Sequence, residues 1–140
     1  MILEYRGPGT LIYRLAGTAC AEKLGIDFTG LNLFDHIAPR QRRKAEDRIN
    51  TIRTYPCGLI VHEKLRSKHQ TLFVAEVIYL PLCNRDGEIT QLLGSVITIE
   101  RGERGAMADN TEAMTAIAAQ FLDIGAGVPQ SLSNEASWAV

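Results

Sequence analysis

Three histidines, three cysteines and a scatter of carboxylates are the side chains of this sequence that could carry chemistry, and their spacing organises no familiar reaction. His36, His62 and His69 stand apart from any glycine-flanked serine or cysteine, and neither a GxSxG elbow nor an HExxH helix is present. Gly7-Pro8-Gly9 lacks the lysine, serine and following helix with which a phosphate loop grips its ligand. Cys20, Cys57 and Cys83 are odd in number and widely spaced, so they suggest neither a disulfide frame nor a zinc site. The expectation is a non-enzyme without catalytic or metal-ligating residues. A small α+β enzyme would need His36, His62 or Glu76 to converge in a cleft.

The chain that must position these residues has 140 of them, 46% apolar and 22% charged, which fits one globular domain plus a tail. Its longest uncharged apolar stretch, residues 77–83, is far too short to cross a bilayer, and no signal-peptide pattern opens the sequence. No membrane association and a cytoplasmic location are therefore expected. Residues 1–104 carry a net charge of +3 and residues 105–140 a net charge of −4, with a composition boundary at the Arg-Gly-Glu-Arg-Gly run. The boundary suggests a domain over 1–102, a linker over 103–109, an amphipathic helix over 110–124 and a flexible tail over 125–140.

Within the domain, apolar runs at 2–6 and 10–16 flank Gly7-Pro8-Gly9 and predict a β-hairpin. A short helix follows from Thr18 to Leu24, with Gly25 suited to its C-terminal cap. Residues 31–37 place Leu33, Phe34 and Ile37 on one helical face, and residues 40–54 form a basic amphipathic helix stopped by Tyr55-Pro56. That basic helix could meet phosphates, but Glu46 and Asp47 interrupt it and no aromatics interleave, so no nucleic-acid partner is expected. Strands are predicted over 59–66, 70–82 and 89–100. Helices grouped between the second and third strands indicate an α+β fold with an antiparallel sheet. Along 72–82 both alternating sets are apolar, Glu76 excepted, so the outer sheet face needs cover from a terminal helix or a second copy of the chain. Residues 110–122, with Met114, Ile117, Ala118, Phe121 and Leu122 at helical spacing, offer that helix.

The ordered set Tyr13-Arg14-Leu15-Ala16-Gly17-Thr18, Leu24-Gly25, Thr29-Gly30, Leu33-Phe34-Asp35, Leu80-Pro81-Leu82 and Leu92-Leu93-Gly94 resembles a family of bacterial stand-alone PAS-domain proteins. The resemblance spans about residues 10–102. It implies a PAS-like five-stranded antiparallel sheet with short helices on one face, enclosing a small cavity, and a sensory or interaction role. It also implies a helical extension before the first strand, where this sequence enters its strand at once; either that start is shortened or the cap has moved to the C-terminal segment.

Amphipathic spacing and the resemblance together select Phe34, Ile37, Ile49, Ile52, Phe73 and Tyr79 as candidate ligand-binding residues, with Tyr79 or Glu76 supplying polar groups if they point inward. No cofactor is required on this reading. A haem would need an axial histidine, for which His36 is the only candidate, and a flavin photosensor would need a reactive cysteine in an Asn- and Gln-rich motif that Cys20 lacks. The expected ligand is small and apolar. The expected partners are a second copy, meeting through the outer sheet face and a terminal helix, and a separate signalling protein. A scaffold with a filled core is the alternative.

Overall fold

In the computed structural model the described residues are 1–67, 71–104 and 114–129, and they form an α+β fold. Strands β1 (Ile2–Gly7) and β2 (Thr10–Leu15) make the expected hairpin. Its turn depends on glycine, because Gly7 and Gly9 adopt φ of 134° and 67°. The Asn32 side chain ties this turn to the body: its Oδ1 accepts from the Leu11 N–H and its Nδ2 donates to the Gly9 carbonyl. Helix α1 (Thr18–Leu24) ends on Gly25 in the left-handed region.

Helix α2 is a single turn, Leu33–His36, shorter than the sequence suggests. A 3-10 turn over Pro39–Gln41 leads into α3, Arg42–Thr54, which buries Ile49 and Ile52 against the sheet and stops before Pro56. Strands β3 (Gly58–Arg66), β4 (Thr71–Cys83) and β5 (Ile89–Arg104) then pair antiparallel in sequence.

The principal departure lies beyond β5. Residues expected in the C-terminal amphipathic helix form instead a strand, β6 (Thr115–Leu122), antiparallel to the free edge of β3. The sheet therefore has six strands rather than five, in the order β2-β1-β5-β4-β3-β6. An eight-residue apolar segment is too short to hold a helix alone, whereas the unpaired N–H and C=O groups of β3 offer it a complete hydrogen-bonded ladder. The helical spacing of Met114, Ile117, Ala118 and Phe121 was overridden by that tertiary demand. The first two residues of the expected linker belong to β5; the others, 105–109, and residues 110–113 of the expected helix lie outside the described residues.

Of the expected tail, residues 125–129 are described, and they follow directly on Asp123 and Ile124. Asp123 Oδ1 accepts from the Gly125 and Gly127 N–H groups at 2.7 and 2.8 Å, and the Tyr55 hydroxyl donates to the Ala126 carbonyl at 2.8 Å. These backbone donors hold the Asp123 carboxyl below the usual carboxylate range. Residues 130–140 lie outside the described part.

The core occupies the face of the sheet that meets the helices. Phe73, Ala75, Val77 and Tyr79 of β4 point into it, while Leu72, Val74, Glu76, Ile78 and Leu80 lie on the opposite, half-buried face. On that outer face Ile97 and Ile99 of β5 remain 56% and 51% exposed, and no helix covers them among the described residues. The helical cover expected there is absent because its residues extend the sheet at its edge.

Candidate functional site

The space between α3, β3 and β6 is not filled: it holds a cavity of about 240 Å³. Its walls are built by residue size. Ala45 on α3 and Ala116, Ala118 and Ala119 on β6 are the small side chains that leave the room, and Leu33, Ile49, Leu59 and Val61 supply apolar walls. The 2.0-residue period of β3 explains what stands at its inner end. Leu59, Val61, Glu63 and Leu65 alternate onto the inner face, so a carboxylate occupies one position of an otherwise apolar set.

Glu63 is 7% exposed and lies opposite Ala75 on β4 and Ala116 on β6, so its two lateral neighbours are small. Burial without compensating donors pushes its carboxyl up to about 7. Tyr79 from β4 shares the cavity with it, and Tyr13 from β2 meets both across an adjoining hollow of about 40 Å³. Desolvation first, and the Glu63 charge second, raise both phenols above their ordinary range. No hydrogen bond to the side-chain oxygens of Glu63, Tyr13 or Tyr79 occurs among the described residues. At the other end, exposed Lys44 and half-buried Arg48, one helical turn apart on α3, stand at the rim.

The β6 wall is fastened to the helical layer as well as to β3. Met114 N–H donates to the His36 carbonyl at 2.7 Å, and Ala38 N–H donates to the Met114 carbonyl at 2.9 Å. The Gln41 side chain acts like a strand neighbour: its Nε2 donates to the Ala116 carbonyl at 2.9 Å and its Oε1 accepts from the Ala116 N–H at 2.7 Å. Ala116 is the β6 residue that pairs with Glu63, next to the register slip between His62 and Glu63, so Gln41 satisfies the backbone of β6 on its outer edge beside the bulge.

Of the six residues selected from the sequence, Ile37, Ile49 and Tyr79 line this cavity. Phe34 and Ile52 are filled core, 3% and 0% exposed. Phe73 lines a separate groove under α1, with Cys20, Lys23 and Leu65. Glu76 does not point inward: it lies on the outer face, where its Oε2 meets His62 Nε2 at 2.8 Å. Parity along β4 decides this, since Glu76 and Tyr79 fall on opposite faces. His36 packs edge-on against Phe28 at 5.3 Å and is not part of the cavity wall. His69 lies outside the described residues. The sequence reading passed over Glu63, Tyr13 and Gln41. The alternation of β3 carried the signal for Glu63; the role of Gln41 depends on β6 and had none.

Among the described residues no group of three or more His, Cys, Asp or Glu could hold a metal ion. No helix among them is long and apolar enough to cross a membrane. Comparison with protein families matches residues 1–97 to the PAS domain family. The chain belongs to that family. PAS domains are sensory and regulatory modules and are generally non-catalytic. None of the curated proteins matches the chain. The matched PAS region ends within β5, so β6, and with it one wall of the cavity, comes from beyond it.

Proposed function

We propose that this PAS domain is a non-catalytic cytoplasmic sensor that binds a small ligand in the cavity between α3, β3 and β6 and passes its state to a separate signalling protein as a homodimer. The observation that carries the reading is the cavity itself: about 240 Å³ of apolar-walled space with a few convergent polar groups is the general form of a small-molecule site. It favours a ligand-binding domain over a filled-core scaffold. The exposed Ile97 and Ile99 beside half-buried Val74, Ile78 and Leu80 give the outer sheet face the apolar character of a self-association surface. Ligand occupancy shifts such a module by its differential affinity for two conformations, and β6, which is both cavity wall and sheet edge, is the element able to report it.

Native mass spectrometry of gently purified protein, followed by titration with the neutral probe para-cresol, tests both parts. The expected result is a dimer that retains a small molecule or takes up the probe saturably, with Ile97→Lys giving a monomer. A protein that binds no small molecule would overturn the sensor reading, and a monomeric wild type would overturn the dimer.

A further inference from the structure

Three buried polar side chains meet at the inner end of the cavity, and the hydrogen bonds they leave unmade name the group that would complete them. We infer that the site takes a small uncharged alcohol or phenol, apolar in its body, whose hydroxyl sits among Glu63, Tyr79 and Tyr13. This rests on the ligand-binding reading above and specifies it.

The size follows from the volume. An apolar cavity of about 150 Å³ holds benzene, so about 240 Å³ accommodates a body of roughly ten heavy atoms. Leu33, Ile49, Leu59 and Val61 give that body apolar contacts. Glu63 and Tyr79 line both the cavity and the smaller hollow, and Tyr13 lines the hollow, so the three side chains stand where the two spaces meet. Their side-chain oxygens make no hydrogen bond among the described residues, and none of these oxygens is sealed off by packed protein atoms. Ala75 and Ala116, the lateral neighbours of Glu63, leave its carboxyl open.

With its carboxyl ionised, Glu63 offers an acceptor, and each phenol offers an O–H donor. A hydrocarbon leaves all three buried without a partner. A ketone or an ether has lone pairs for the phenols and no donor for the carboxylate. An ammonium has donors for the carboxylate and no lone pair for the phenols. A hydroxyl has one donor and two lone pairs, the complement of one acceptor and two donors. No charge on the ligand enters this match. Lys44 and Arg48 at the cavity rim already engage other groups of the chain. Met1 lines the smaller hollow, and its ammonium donates to the Gly94 carbonyl at 2.8 Å. Cys20 on α1 is the remaining titratable side chain around that hollow.

Titration calorimetry of the full chain at about pH 8, above the Glu63 pKa of about 7, with para-cresol, toluene, 4-methylanisole and benzylamine tests this. The expected order places para-cresol at least about tenfold tighter than each of the others. Toluene lacks the hydroxyl, the 4-methylanisole oxygen only accepts, and benzylamine is a cation that only donates. Glu63→Leu should abolish the advantage over toluene. The Tyr13→Phe/Tyr79→Phe pair, which keeps the packing, should cut that advantage severalfold while preserving most of the advantage over 4-methylanisole, and it serves if Glu63→Leu does not fold. If toluene, 4-methylanisole or benzylamine binds as tightly as para-cresol, or if neither variant lowers the advantage over toluene, the inference fails and the ligand-binding reading stands. If no probe binds, both fail.

Discussion

The two sides of the space under the helices are built to opposite ends. Where β1, β2 and β5 meet α3, Leu3, Leu11, Leu92 and Ile52 are 0 to 1% exposed and fill the interior. Where β3 and β6 meet the same helix, Ala45, Ala116, Ala118 and Ala119 face one another, with a carboxyl among them. One helix serves both. Ile52 closes the solid side and Ile49, three residues earlier, borders the empty one. Stability is thus concentrated in one half, and the other half is free to hold space that a tightly packed core would not leave.

The comparison can be broken by mutation. The largest effects are expected on the solid side: Ile52→Ala or Leu11→Ala should cost about 2 to 5 kcal/mol in denaturant unfolding, whereas Ile49→Ala should fall toward the lower end, because part of its surroundings is already open. The next largest concerns Glu63. Its folded-state pKa is raised from 4.5 to about 7, so the folded chain holds the proton more tightly than the unfolded one. Wild-type stability therefore falls as pH rises between those values and levels off above about 7. Glu63→Gln, which has no proton to lose, should exceed wild type by about 3 kcal/mol at about pH 8 and match it below about pH 4.5, measured as unfolding free energy against pH.

Gln41→Ala removes both hydrogen bonds to Ala116 and should cost about 1 to 2 kcal/mol, with faster amide exchange in β6 while β1 and β2 keep their protection. The smallest change in stability belongs to Ala119→Leu, which places new methyl groups in existing space. Its unfolding free energy should stay within about 1 kcal/mol of wild type while uptake of para-cresol is lost.

Much of the solid side was legible in the sequence. The Gly7-Pro8-Gly9 hairpin, the basic helix with Ile49 and Ile52 on its apolar side, and the three long strands all follow from local periodicity and turn chemistry. The cavity side was less so. Half of the selected site residues line it, because amphipathic spacing finds inward faces but cannot separate a filled position such as Phe34 from a bordering one such as Ile49. The β6 wall escaped entirely, since Ala-rich residues at helical spacing read as helix until the open edge of β3 is known. Glu63 was visible as an acid in an apolar alternation, and Glu76 drew attention in its place although strand parity turns it outward.

The pairing of β6 with β3 also bears on how the protein behaves in a crowded solution. A row of unpaired backbone groups flanked by Leu59 and Val61 is a template for strands of other molecules. While β6 occupies that row, the template is closed. Any motion that lifts β6 would uncover a place for intermolecular strand addition, so on the proposed reading a ligand that holds β6 in place is expected to slow self-aggregation as well as carry the signal.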